Sequence, residues 1–263
     1  MRTRWRHGSG GLGEAEDDEV VAEAPLTLLV AGERVVTTMR TPGDDAALAL
    51  GFLAAEGVIR VPGDVGRVAS CGPVDAHGVP SAVDVTPGPG VHLDLDGVRR
   101  SALISSACGV CGHEAIDALA ARLAPLDAPA VDMALLRRAE RALAGAQPSF
   151  VRTGGVHGAV ILDARGEVVA AAEDVGRHNA VDKVVGRRLQ EDALSRGRVL
   201  VVSSRSSFEI VQKAVAARLD AIVAVGAPTS LAVDLATRFG AVLGGFARGG
   251  TLNVYAGVDR LAG

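Results

Sequence analysis

The sequence is short of aromatics, short of cysteine, and without a long apolar run. Aromatic residues make up 3% of its 263 positions, with a single Trp and a single Tyr. A core must therefore be built from Ala, Val and Leu, whose small volumes suit helices laid closely on a parallel or mixed sheet. No stretch reaches the roughly 18 consecutive apolar residues that a membrane helix needs. The three cysteines, Cys71, Cys108 and Cys111, are an odd count and a poor disulfide framework. The basic start Met1–Arg6 is followed by Gly, Ser and acids rather than by an apolar segment, so no secretory signal is read there. There is also no basic surplus: 27 Lys and Arg stand against 31 Asp and Glu, giving a net charge of −4 and a pI near 5.9. That excludes bulk nucleic-acid binding and leaves room for one local anion site. Neither a P-loop nor a G-x-G-x-x-G fingerprint occurs, so ordinary ATP or NAD use is not indicated. A soluble, cytoplasmic protein is expected.

The hydrophobic share of 48% and charged share of 22% are those of a globular chain,. Residues 1–19 segregate charge, with Arg2, Arg4 and Arg6 before Glu14, Glu16, Asp17, Asp18 and Glu19. This composition cannot bury a core and reads as a disordered tail. Residues 20–104 read as a β-rich unit: strands over 26–30 and 34–39, a helix over 46–56 capped by Asp44 or Asp45, and short alternating strands such as Val91–Leu95. Residues 105–112 read as a mobile loop. Residues 113–263 read as an α/β domain, with helices over 114–123 and 133–144, a hairpin over 156–172, and then helix 179–189, strand 199–203, helix 207–218, strand 221–225 and helix 229–238. Strands over 241–243 and 251–255 close it. The fold class is therefore α/β or α+β: a mixed sheet covered by helices, plus a smaller N-terminal β-rich unit.

Five segments carry residues capable of chemistry. The first is Cys108-Gly109-Val110-Cys111, placed just before a helix, where free N–H groups and the helix dipole stabilise a thiolate. Such a thiolate can accept sulfur as a persulfide and pass it on by exchange. With Cys71 or His113 the pair could instead ligate zinc, or it could be incidental. A zinc deaminase is not indicated, because Ala107 precedes Cys108 where that class has Pro, and no H-x-E lies upstream. The second segment is Glu173 to Lys183, a polar strand-to-helix junction in which Arg177, His178 and Lys183 suggest an anion or proton-transfer role; its plain alternative is a solvated helix start capped by Asp or Asn. The third is Ser203 to Glu209, where Arg205, the hydroxyls of residues such as Ser206 and the backbone N–H groups make a phosphate cradle; its plain alternative is a helix cap at Ser207, with Lys213 a surface residue. The fourth is Gly226 to Ser230, a second turn of that type with Thr229 as N-cap. The fifth is Gly244 to Thr251, in which Phe246 and Arg248 can stack on and pair with a nucleotide, or which simply joins two strands.

These motifs, in this order, resemble the formate dehydrogenase accessory sulfurtransferase (FdhD) family. The likeness runs from about residue 22 nearly to the end. It includes Glu23-Ala24-Pro25-Leu26, Thr41-Pro42-Gly43-Asp44, Gly51 to Gly57, Ala107 to Gly112, Gly154 to His157, the block Glu173 to Lys183, Ser206 to Lys213, Ala227 to Ala232 and Gly245 to Gly250. The resemblance implies a cytidine-deaminase-like fold without that family's zinc chemistry, and no metal of its own. It implies a sulfur carrier between a cysteine desulfurase and the bis-guanine-dinucleotide form of the molybdenum cofactor, which is the bound substrate, in the service of formate dehydrogenase. Cys108 becomes the persulfide-bearing residue and Cys111 its partner. Phe246, Ala247, Arg248, Gly249, Gly250 and Thr251 become part of the cofactor-binding segment, and Arg205, Ser206 and Thr229 join them from the two cradle turns. A homodimer is implied, with neither nucleic acid nor membrane as partner. The rival readings are a zinc-dependent deaminase-like enzyme and a chaperone that binds the cofactor without transferring sulfur. Ser203-Ser204-Arg205 and Gly226-Ala227 depart from the family's usual Ser-Gly-Arg and Ser-Ala.

Overall fold

The computed structural model describes residues 2–8, 11–76, 78–98, 123–127, 130–194 and 197–263. The expected helix over 114–123, apart from its last residue, and the whole loop carrying Cys108, Cys111 and His113 lie outside them. Among the described residues no helix is long and apolar enough to cross a membrane.

The charge-segregated start is a two-stranded antiparallel ribbon, β1 (Arg2–Gly8) with β2 (Gly11–Asp18), where a disordered tail is expected. The segregation itself supplies the reason. Pairing places basic residues opposite acidic ones, and Arg4 lies 3.0 Å from Glu16 and 3.2 Å from Asp18. Cross-strand pairs of this kind favour a ribbon even without a core.

Next comes a four-stranded sheet in the order β4-β3-β6-β5, made of β3 (Ala24–Val30), β4 (Glu33–Arg40), β5 (Val65–Val74) and β6 (Pro80–Pro87). Leu26, Leu28 and Val30 alternate inward from β3 and meet helix α1 (Asp45–Ala55) through Leu48, Leu50 and Leu53. The expected cap of α1 is not made. Asp44 holds the N-cap position in the left-handed region (φ 56°) without a capping bond, and its carboxylate pairs with Arg187. Asp45 is taken by the fully buried Arg40, with two bonds of 2.8 Å. Val91–Leu95 is not a strand. Leu93 and Leu95 do turn inward, which is the alternation read from the sequence. The Asp94 side chain, however, accepts from the Asp96 amide at 2.9 Å and bends the chain away from a ladder,.

The larger unit is a six-stranded mixed sheet in the order β13-β12-β11-β10-β8-β9. Its strands are β8 (His157–Leu162), β9 (Val168–Asp174), β10 (Val199–Val202), β11 (Ala221–Ala224), β12 (Val242–Arg248) and β13 (Thr251–Ala256). The three central strands β10, β11 and β12 are parallel. Their short apolar runs are buried on both faces, as such strands require. Leu200 and Val202 face helices α4 (Arg177–Gln190), α5 (Phe208–Ala216) and α6 (Ser230–Phe239). Val199 and Val201 face α2 (Met133–Ala144). A one-turn-and-a-half helix α3 (Pro148–Thr153) and a small parallel pair, β7 (Val131–Asp132) with β14 (Leu261–Ala262), complete the described chain. The sequence reading assigns neither.

The two units meet where α1 crosses α4. A Cβ at Gly51 would sit 2.5 Å from the Asp182 carbonyl carbon and 2.8 Å from its Cα. A Cβ at Gly186 would sit 2.6 Å from the carbonyl carbon of Ala47. Both contacts are with backbone, so only glycine permits this approach.

Candidate functional site

Every chemically interesting segment that the structure describes converges on one edge of the six-stranded sheet. Strands β10, β11 and β12 all end there, β9 ends there, and β8, running the other way, begins there. Helices α4, α5 and α6 start at this edge, so three helix N-termini face it instead of the two expected from the turns after β10 and β11. Open N–H groups and helix dipoles at such an edge favour anions.

The turns are stitched to one another by their backbones. Gly226 N–H donates to Ser204 O (3.1 Å), Ser206 N–H to Ala227 O (3.2 Å), Thr229 N–H to Ser206 O (3.0 Å) and Phe246 N–H to Gly226 O (3.1 Å). Gly226 is packed closely against the neighbouring turn, since a Cβ would lie 3.0 Å from Arg205 N and from Ser204 O. The cradle is thus a continuation of the ladder beyond the sheet, set before any ligand arrives.

Within it, the residues named from the sequence take different places. Arg205 is exposed and has no ion-pair partner among the described residues. Ser206 is wholly buried, and its Oγ has no hydrogen-bond partner among the described residues. Thr229 is the N-cap of α6 and accepts from Ala232 N at 3.3 Å, so its side chain is occupied. Phe246, Arg248, Gly249, Gly250 and Thr251 form the tip of the β12–β13 hairpin. Phe246 is 52% exposed with φ 53°, and Gly249 N–H is tied to Glu140 of α2 at 2.8 Å. Ala247 points the other way, buried among Val223, Val242 and Leu136, and its side chain is a core residue.

The Glu173–Lys183 block divides by function. Strand alternation sends Glu173 and Asp174 to opposite faces. Glu173 caps α3 from a neighbouring strand, accepting from Ser149 N at 2.8 Å and Phe150 N at 2.7 Å. Asp174 is fully buried and accepts from Gly176 N (2.8 Å), Asn179 Nδ2 (3.1 Å) and Thr41 N (3.1 Å). Lys183 lies 2.7 Å from Asp174 and donates to Thr41 O at 2.8 Å. Asn179 also donates to Met39 O at 2.7 Å. These residues clamp the junction to the N-terminal sheet, so Lys183 is not available to a ligand. Lys213 is likewise internal and no surface decoration: it is 6% exposed and lies 2.6 Å from Asp182. Burial pushes the Asp182 carboxyl upward and Lys213 pulls it back, with burial the larger influence.

What the clamp presents to the edge is Arg177 and His178. Arg177 Nε is buried without a partner among the described residues. His178 Nε2 lies 2.7 Å from Glu209 Oε2 and 3.5 Å from Ser207 Oγ. Hydrogen bonding to His178 holds the Glu209 carboxyl below its ordinary range. His157, at the start of β8, is near enough to Arg177 and His178 to feel both charges, and burial with these neighbours lowers its pKa. Its Nδ1 is 3.4 Å from Ser203 Oγ, which accepts from Gly158 N at 3.0 Å. His157 and Ser203 open into a cleft of about 450 Å³, shared with Gln147, Phe150, Glu140 and Val225. Gln147 lies across Gly158, where a Cβ would be 2.6 Å from its Nε2. In the sequence His157 stands out only as the end of the motif Gly154–His157, and Gln147 carries no signal of its own. The signal available was a His opening a strand after Gly154-Gly155.

Residues 21–262 match the model of the FdhD/NarQ family. A protein of Anaeromyxobacter dehalogenans (strain 2CP-C) named sulfur carrier protein FdhD is 49% identical over 260 residues, covering 95% of this chain and 90% of its own length. Its Streptomyces coelicolor namesake is 46% identical over 252 residues, covering 93% and 89%. The Mycobacterium tuberculosis one is 41% identical over 267 residues, covering 98% and 97%. A crystal structure from Desulfotalea psychrophila, of a protein described as a formate dehydrogenase accessory protein, superposes with a TM-score of 0.78 at 24% identity, covering 100% of this chain and 98% of that one. That likeness speaks for the mixed α/β fold.

Proposed function

Because this chain belongs to the FdhD/NarQ family, we propose that it is a sulfur carrier serving formate dehydrogenase, and that its sheet edge holds the molybdenum cofactor as substrate by that cofactor's guanine nucleotides. In this reading a cysteine desulfurase supplies sulfur, Cys108 accepts it as a persulfide, and Cys111 resolves or relays it. The thiolate of Cys108 attacks the outer sulfur of the donor persulfide; the donor cysteine leaves as a thiolate, and Cys108 carries the extra sulfur. The enzyme class is then sulfurtransferase, working in the cytoplasm as a homodimer on a cytidine-deaminase-like sheet.

One observation supports the substrate half of this reading above the others. In a chain of net charge −4, two arginines without ion-pair partners among the described residues, Arg177 and Arg205, stand beside three helix N-termini on a single edge. Such an edge suits a polyanion of diphosphate type, and the Phe246 tip adds an exposed aromatic face for a base.

The test is incubation with a cysteine desulfurase and free cysteine, followed by intact mass measurement and peptide mapping. One added sulfur on the Cys108 peptide, absent from Cys108→Ala, is the expected result. A Cys108→Ala protein that still supports full formate dehydrogenase activity would instead make this a delivery chaperone.

A further inference from the structure

The cleft beside His157 and Ser203 holds polar groups that the anion site does not use. Its volume of about 450 Å³ suits a small ring system. Leu143, Phe150, Val156 and Val225 give it apolar walls, and Phe150 and Val225 stay exposed. Gln147 lines it while only 8% exposed, and its Nε2 is a donor with no partner among the described residues. A donor left unused at this depth is a standing cost, which an acceptor entering from the cleft relieves.

Glu140 lines the same cleft. Its Oε2 accepts from Gly249 N–H at the hairpin tip, 2.8 Å away, and its Oε1 has no partner among the described residues. The cleft therefore adjoins the cationic edge at two points. One is this bond to the tip, and the other is His157, close enough to Arg177 and His178 to sense their charge. A carboxylate repels a phosphate held nearby, so its presence there calls for hydrogen-bond donors on the ligand. The edge that satisfies a carboxylate and an amide donor together is a ring N–H with an exocyclic amino group on one side and a carbonyl on the other. It brings two donors for the remaining lone pairs of Glu140 and one acceptor for Gln147.

We infer that the cleft reads a 2-amino-lactam ring edge, with Glu140 taking the ring N–H and the amino group and Gln147 meeting the carbonyl. The inference rests on the nucleotide-holding edge proposed above and adds to it the residues that choose the ring. Adenine is refused, because its ring nitrogen turns a lone pair toward the carboxylate. Hypoxanthine keeps the lactam and lacks only the amino group. The hairpin tip cannot make this choice, since Phe246 offers a face and every base has a π-face. Guanine and pterin rings both carry the edge.

Isothermal titration calorimetry of the full chain with GDP, IDP, ADP and neopterin is the test. The wild type is expected to bind GDP about tenfold more tightly than IDP, the worth of one hydrogen bond to a charged acceptor, and ADP more weakly still. Glu140→Gln should bring the ratio of GDP to IDP affinity close to one. If Glu140 served only to hold the hairpin tip, both affinities would fall and the ratio would stay. Gln147→Leu should weaken GDP and IDP together and leave ADP as it was. Neopterin binding that Glu140→Gln abolishes, with GDP and IDP bound alike, would keep the inferred edge and assign it to a pterin. Nucleotides displaced by pyrophosphate, with no preference among bases and no Glu140-dependent neopterin binding, would overturn this inference and leave the anion edge standing. If neither nucleotide nor pyrophosphate binds, the edge itself fails, and the inference with it.

Discussion

Replacing Lys183 by Met tests whether the Asp174–Lys183 pair is the clamp that the geometry describes. The substitution keeps the apolar stem of the side chain and removes the charge together with the hydrogen bond to Thr41 O. Asp174 is 0% and Lys183 3% exposed at the side chain, so no water reaches in to compensate. Breaking a buried pair by removing one partner costs about 3–5 kcal/mol, because the other charge is left uncompensated. Asp174 keeps three N–H donors, from Gly176, Asn179 and Thr41, which places the expectation near the lower end, about 3 kcal/mol. Urea denaturation followed by far-ultraviolet circular dichroism measures it as a lower midpoint at unchanged slope. Adding Asp174→Asn to the same chain should recover part of the loss, with a coupling of about 1–2 kcal/mol. Raising the salt should leave the effect in place, since buried charges are screened far less than surface ones. A cost below about 1 kcal/mol, additive with Asp174→Asn, would refute the reasoning.

At the helix crossing, Gly51→Ala is expected to destabilise by about 1–3 kcal/mol, in spite of alanine's better helix propensity, because its methyl would press into the Asp182 backbone,; an unchanged or raised urea midpoint would sink the close-approach argument. His157 makes the stability of the wild type fall as the pH drops below about 6.5. Its folded pKa is lowered, so the unfolded chain takes up a proton first; stability is fully present above the unfolded value and is lost as the pH falls through the folded one. His157→Gln should flatten that part of the stability–pH curve, and a curve unchanged between about pH 7 and about pH 5 would contradict it.

Much of the large sheet was legible because its signals are local. Val199–Val202 and Ala221–Ala224 are short apolar runs followed by Ser, Pro or Thr caps, and the strands and helices fall within a few residues of their expected places. What escaped the reading depends on partners far away in sequence. Helix α3 is too short to show a period, and its cap is Glu173, more than twenty residues on. Lys183 and Lys213 look alike in a sequence to any surface lysine; only the topology sets Asp174 and Asp182 against them. Asp45 has every attribute of a helix cap, and loses that role to the buried Arg40. The family likeness pointed at Phe246–Thr251 as a unit, and could not see that strand alternation turns Ala247 inward between Phe246 and Arg248.

The crossing of α1 over α4 has one more implication. Where backbone rests on backbone there are no rotamers to absorb a displacement, and close-packed interiors pass strain on instead of damping it. A protein that grips the four-stranded sheet and shifts α1 therefore shifts α4 with it, and the head of α4 carries Arg177 and His178. Under the proposed function, the cofactor held at the sheet edge is in this way mechanically within reach of a partner that never touches it.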